Sequence, residues 1–129
     1  MAKLQTAALT PAQLEIMNLI WDHGELTVAQ VWKMLAGRRT VARNTVQTML
    51  TRLADKGWLA VRAEGKTFYF RGSQHRQSAV RKMIKQFVDN VFDGSASRLV
   101  MTLLDDRRIS PDEIRQIHKL IADAERKRQ

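Results

Sequence analysis

Three short stretches of this 129-residue chain spell the same helix-starting device. In LTPAQL (9–14), Thr10 stands where an N-cap would, Pro11 at the first helical position and Gln13 three residues after the cap, with Leu9 and Leu14 on either side. LTVAQV (26–31) repeats the device with Thr27, Gln30, Leu26 and Val31, and ISPDEI (109–114) with Ser110, Pro111, Glu113, Ile109 and Ile114. The hydroxyl satisfies an orphan backbone N–H, the Gln or Glu returns the bond, and the flanking apolar pair closes over the turn. Three helix beginnings follow. The first helix is expected from about Pro11 to Asp22, with Leu14, Met17 or Asn18, and Trp21 on its inner face, broken by DHGE. The second runs from about Val28 to Leu35 and ends at Gly37.

A third helix is expected over VARNTVQTMLTRLADKG (41–57), stopped by Gly57, but its start carries no such device. Thr40 is a candidate cap, and Val41 and Ala42 cap poorly. Its apolar stripe is Ala42, Val46, Met49, Leu50 and Leu53. The opposite side shows Asn44, Thr48 and Thr51, flanked by Arg43 and Gln47 on one edge and Thr45 and Arg52 on the other; Asp55 is the one acid. Solvated helices commonly alternate Glu with Lys, and this face does not.

After Gly57 the hydrophobic period changes to two. WLAVR and TFYFR, joined by AEGK, read as a β-hairpin with Gly65 in its turn. Leu59, Val61, Phe68 and Phe70 are expected toward the helices, and Arg62, Lys66 and Arg71 outward. From Ser73 the period is helical again. One stripe runs Val80, Met83, Ile84, Phe87, Val88, Val91, Phe92; a second Leu99, Val100, Leu103, Leu104; a third Ile114, Ile117, Leu120, Ile121. The fold class is therefore mostly α with a small β-hairpin: a winged helix-turn-helix domain over 1–72 and a C-terminal helical dimerisation region over 73–129.

Charge points the same way. The chain carries a formal +9, and residues 38–71 hold eight basic groups (Arg38, Arg39, Arg43, Arg52, Lys56, Arg62, Lys66, Arg71) against Asp55 and Glu64. Such a patch attracts polyanions. In a winged helix the third helix enters the major groove, N-terminal residues first. Arginine can pair bidentately with guanine, and Asn or Gln with adenine, so the candidate readers are Asn44 and Thr48 at the centre of the outward face, with Arg43 and Gln47 on one flank and Thr45 and Arg52 on the other. The hairpin tip, Gly65, Lys66 and Thr67, is expected to reach a neighbouring phosphate or the minor groove, and Thr27, at a helix N-terminus, to place backbone N–H groups against phosphate. The partner expected is a double-stranded DNA operator. The alternative is a winged helix serving as a protein-interaction or RNA-binding adaptor without operator specificity. The tail's stripes could pack on the winged helix or pair two copies; because they lie beyond a domain already complete, the expectation is a homodimer through Val80, Ile84, Phe87, Val91, Leu99, Leu103, Ile117 and Leu120.

Other chemistry is not encoded. With no cysteine there are no disulfides, thiolate metal sites or cysteine nucleophiles. His23, His75 and His118 fall in separate segments without ligand spacing. Asp112 and Glu113 sit in a capped first turn, where the helix dipole explains them. No metal, cofactor or catalytic site is expected, and the protein is not read as an enzyme. No apolar run approaches membrane-spanning length, and MAKLQTAALTPAQ lacks the apolar core of a leader, so the expected location is the cytoplasm.

LTPAQLEIMNLIWDHGELTVAQVWKML, NTVQTMLTRLADKGWL and EGKTFYFRG, followed by this helical tail, together resemble the BlaI/MecI/CopY family of penicillinase-type repressors over nearly the whole chain. The resemblance implies a bacterial homodimeric repressor on a palindromic operator, with a recognition helix at about 42–56 contributing Arg43, Asn44, Thr45, Thr48 and Arg52, and a wing contributing Lys66 and Thr67. Three departures matter. Penicillinase repressors are inactivated by cleavage of an Asn-Phe bond where this chain has Thr102-Leu103, which leaves a sensor-linked protease as an open partner. The copper-responsive members' cysteine cluster is missing. The usual Ser-Pro opening of the third helix is replaced by Ala42-Arg43, which implies a DNA preference of its own.

Overall fold

The computed structural model describes residues 8–105 and 107–128; residues 1–7, which carry most of the segment read above as lacking a leader, lie outside that range. The elements are α1 (Pro11–His23), β1 (Glu25–Thr27), α2 (Val28–Ala36), α3 (Arg43–Asp55), β2 (Leu59–Glu64), β3 (Thr67–Gly72), α4 (Arg76–Val91), α5 (Ala96–Asp105) and α6 (Pro111–Lys127). This is the mostly helical, winged helix-turn-helix order expected from the sequence.

The capping devices of α1 and α2 close in both directions as written, whereas that of α6 shows only the bond to the Ser110 hydroxyl. Thr10 Oγ1 accepts from the Gln13 N–H at 3.1 Å while Gln13 Oε1 accepts from the Thr10 N–H at 3.0 Å. Thr27 and Gln30 exchange the same two bonds at 3.2 and 2.9 Å. At α6, Ser110 Oγ accepts from the Glu113 N–H at 3.1 Å.

The chain divides into two compact units between Met83 and Ile84. In the first, α1, α2 and α3 pack around a core of Ile16, Met17, Ile20, Val31, Leu35, Val46, Leu50 and Leu53, all fully buried. Burial of each such side chain contributes roughly 1.5–3 kcal/mol. The unit extends past the change of period at Gly72 because the first half of α4 belongs to it: Ala79 is fully buried and Met83 packs against the core.

The inner face of α1 differs from expectation. Gln13, Ile16, Met17, Leu19 and Ile20 are buried, Leu14 and Trp21 are half-buried, and Asn18 is exposed. The helix is packed on by α2, α3, β1 and β3, so its buried arc is wider than one stripe. Trp21 sits at the margin, where its indole N–H donates to the Gln74 carbonyl at 3.2 Å.

The hairpin gains a third strand that the sequence did not announce. The sheet order is β1-β3-β2, antiparallel throughout. Three residues are too few for an alternation to show, but Leu26, already placed by the capping device, is buried and pairs with Phe70. Glu64 pairs with Thr67, which leaves Gly65 and Lys66 as a two-residue turn, and the φ of +63° at Gly65 suits a residue without a Cβ. Leu59 and Phe70 are buried as expected, but Val61 and Phe68 are 44% and 55% exposed. The alternation is right and the reach is not, since the outer half of the hairpin extends past the helices that would cover it.

The second unit holds the rest of α4 with α5 and α6. Val88 is buried and Phe87 meets Phe92 edge to face at 5.8 Å. Much of the remaining apolar surface is open, including Ile84, Phe87, Val91, Leu103 and Leu120, while Val80 (in the first unit), Leu99 and Ile117 are half-buried. No helix among the described residues is long and apolar enough to cross a membrane.

The contact that ties β3 to α1 has little room to spare. A Cβ at Gly72 would lie 2.6 Å from Trp21 Nε1 and 3.1 Å from the Gln74 carbonyl oxygen, whereas one at Gly37 would meet nothing closer than 3.5 Å. Gly72→Ala should therefore destabilise the protein by about 1–3 kcal/mol, with Gly37→Ala nearly silent. Urea denaturation of both variants checks this, and equal midpoints would contradict it.

Candidate nucleic-acid interface

The position of α3 is set from two sides. Val46, Leu50 and Leu53 are fully buried and Met49 is half-buried, so the rotation of the helix is fixed by its apolar stripe. Its start is held differently from those of α1, α2 and α6. Ala42 occupies the N-cap position in extended conformation and makes no side-chain cap. One residue earlier, the Trp32 indole N–H donates to the Val41 carbonyl at 2.9 Å. A tryptophan of α2 thus anchors the backbone that leads into α3.

This rotation turns Arg43, Asn44, Thr45, Gln47, Thr48, Thr51 and Arg52 outward, all exposed. Asn44, Gln47, Thr48, Thr51 and Arg52 line one shallow concavity along the helix. A second, of about 370 Å³, lies between the start of α3, the start of α2 and the hairpin tip, and is lined by Thr27, Val28, Ala29, Arg43, Gln47, Lys66, Thr67 and Phe68. The expected residues Thr27, Arg43, Lys66 and Thr67 therefore meet around one groove, and Asn44, Thr48 and Arg52 share the adjoining one. Thr45 is exposed but lines neither.

Gln47 lines both grooves and was placed only on a flank by sequence reasoning. It lies one turn after Arg43 on the same face, which was the available signal. Val28, Ala29 and Phe68 had none, because their role follows from the meeting of α2 with the hairpin. Thr27 closes the expected capping box, its hydroxyl and its N–H both engaged with Gln30. The N–H groups without intrahelical partners are those of Val28 and Ala29, at the first two positions of α2.

The basic cluster separates into two kinds. Arg38 pairs with Glu15 at 3.1 Å, and Arg39 pairs with the same carboxylate. Arg62 donates from Nε and Nη2 to Glu25, both at 2.8 Å, and from Nη1 to Glu64 at 2.9 Å. Its guanidinium carbon sits 4.3 Å from the centre of the Tyr69 ring. Among the described residues, Arg43, Arg52 and Lys66 form no ion pair. Lys56 and Arg71 form none either, but of the five it is Arg43, Arg52 and Lys66 that border the two grooves.

A profile of the penicillinase repressor family matches residues 9–123. The penicillinase repressor of Bacillus licheniformis is 27% identical over 113 residues, which cover 88% of this chain and 88% of its own. The methicillin resistance regulatory protein MecI of Mammaliicoccus sciuri is 24% identical over 117 residues, or 91% of this chain and 95% of its own. Among solved structures, the homodimeric winged helix-turn-helix DNA-binding domain of a possible ArsR-family regulator from Mycobacterium bovis superposes with a TM-score of 0.50 at 22% identity. That match covers 74% of this chain and 80% of the other, and it shows the shared fold.

Two measurements follow from this geometry. Trp32→Phe keeps the ring and removes the donor to Val41, so it should cost about 1–2 kcal/mol and speed amide exchange in the first turn of α3. Unchanged exchange there would show that the indole does not hold the helix start. The second concerns acid. Hydrogen bonds from Arg39 chiefly, and from Arg62, hold the Glu15 and Glu25 carboxyls below their ordinary value of 4.5. A lowered folded value means the pairs contribute fully above that pH and fade as the pH falls through the lowered values. Stability of Glu15→Gln/Glu25→Gln should therefore fall less than wild type's between about pH 5 and pH 3, as followed by urea denaturation.

Proposed function

The chain belongs to the penicillinase repressor family, and from that premise we propose that it is a sequence-specific, DNA-binding transcriptional repressor that acts as a homodimer on a palindromic operator. The observation that carries the reading is the convergence of Arg43, Gln47, Lys66 and the N-terminus of α2 on one groove, beside an outward face of α3 whose one acid is Asp55 at its last position. Residues 1–72 form the DNA-binding part in this reading, and residues 73–129 the dimerisation part.

In this reading α3 lies in the major groove. Arg43, Asn44 and Gln47, at its N-terminal end, meet base edges, and Thr48 and Arg52 follow the groove wall with Thr45 at its margin. The hairpin tip, Lys66 and Thr67, and the start of α2 at Thr27 grip neighbouring phosphates, which position the helix without reading sequence. Two such units need a common support. The exposed Ile84, Phe87, Val91, Leu103 and Leu120, with Val80, Leu99 and Ile117, supply apolar surface for a second copy. Half-sites then lie about one helical turn apart, or a multiple of it. The protein works in the cytoplasm, beside its operator.

The test is selection of binding sequences from a random duplex pool by the full chain, followed by fluorescence anisotropy on the selected duplex and a scrambled one. A palindromic consensus is expected. Asn44→Ala should lose about 1–3 kcal/mol of discrimination at one base pair of each half-site. Lys66→Ala should weaken both duplexes alike and flatten the log–log salt slope by about one unit. Leu103→Glu should give a monomer in sedimentation. Recovery of no consensus, with equal binding to both duplexes, would replace the operator reading with that of a charge-driven adaptor.

A further inference from the structure

Arg62 stands out because it lies in the basic cluster and yet spends its charge inside the protein. Three of its N–H groups are committed to carboxylates, two on Glu25 and one on Glu64, and its flat face covers Tyr69. These partners lie on all three strands. Arg62 and Glu64 are on β2, Tyr69 on the central β3, and Glu25 on β1. Arg62 is the cross-strand partner of Tyr69, and Tyr69 is in turn the partner of Thr27. One guanidinium therefore bridges the whole width of the sheet.

The bridge joins the two walls of the groove. Glu25 lies two residues before Thr27, the cap from which α2 starts. Glu64 lies two residues before Lys66 at the hairpin tip. The outer half of the hairpin has little else to hold it to the body, since Val61 and Phe68 on its inner side are exposed. A bidentate, planar fork is the ion pair geometry that fixes direction as well as distance.

We propose that Arg62 is a positioning residue that, through Glu25, Glu64 and Tyr69, holds the wing tip at a set distance from the N-terminus of α2, and that it does not contact phosphate. The consequence for DNA rests on the function proposed above; the restraint on the wing does not.

Two variants and two readouts test it. In the free full-length protein, Arg62→Gln should speed amide exchange at Glu64, Lys66 and Thr67 by about two- to fivefold, the scale of an exposed ion-pair network, and leave the amides of α3 unchanged. Unaltered exchange at the tip overturns the proposal whether or not the protein binds DNA. On a 30-base-pair duplex of random sequence, Arg62→Gln should bind about two- to fivefold more weakly with the salt slope of the wild type. A slope smaller by about 0.9 would make Arg62 a phosphate contact and overturn the proposal. Glu25→Gln gives a test of sign. Removing an acid beside a polyanion site should tighten binding on electrostatics alone, whereas loss of the bridge weakens it. Tighter binding by Glu25→Gln therefore also overturns the proposal. Wild type that fails to bind the duplex at all would refute the DNA reading, and the exchange experiment would still decide the role of Arg62.

Discussion

Burial of Val46, Leu50 and Leu53 is the constraint on which the candidate interface depends. A helix with three consecutive inward positions filled cannot rotate without exposing them, at a cost of roughly 1.5–3 kcal/mol each. The rotation of α3 is thereby set by its least functional residues. Once it is set, Arg43, Asn44, Gln47, Thr48 and Arg52 must face outward, and no choice made on the outer face can change that. Such a helix can vary its outer residues freely while keeping its pose. The start of α3 shows the same economy. No polar cap is placed beside Arg43, and the chain is held there instead by an indole that reaches across from α2.

Charge is organised by subtraction. The sequence offers eight basic groups between residues 38 and 71, and a count alone treats them as one patch. The structure takes Arg38, Arg39 and Arg62 out of it by pairing them with Glu15, Glu25 and Glu64. Exposed pairs of this kind add little stability. Their larger effect is on where positive potential remains: at Arg43, Arg52 and Lys66 around the grooves, with Lys56 and Arg71 outside them. A polyanion is then drawn to the concave face rather than to the whole surface.

Much of this was legible in the sequence, and the failures share a cause. Helix starts were legible because capping is local: Thr10 with Gln13, and Thr27 with Gln30, bond within four residues of chain. The outward face of α3 was legible because its period is helical and its inner stripe unbroken. What could not be read was whatever depends on another element's position. The wide buried arc of α1 follows from being packed on from several sides. Strand β1 exists because β3 offers an edge to Glu25–Thr27. Phe68 alternates correctly and still lies exposed, because alternation says which face a residue takes and not how far the covering helices reach. Arg62 is the sharpest instance, since its partner Glu25 lies 37 residues away in sequence.

The tail poses the complementary problem, because its meaning lies in what each protomer leaves uncovered. Phe87 and Phe92 pack on each other and Val88 is buried, yet Ile84, Val91, Leu103 and Leu120 stay open. Apolar residues scattered singly over a surface need no explanation, whereas these recur at helical spacing on successive helices. In the proposed homodimer the faces of two copies cover one another, and the second half-site is then bound at an effective concentration set by the tail rather than by the bulk protein. Affinity for the operator would thus depend on residues that never approach DNA. Any event that separates the tails would lower it by the full gain from linkage, while α3, the wing and their free cations remain as they were.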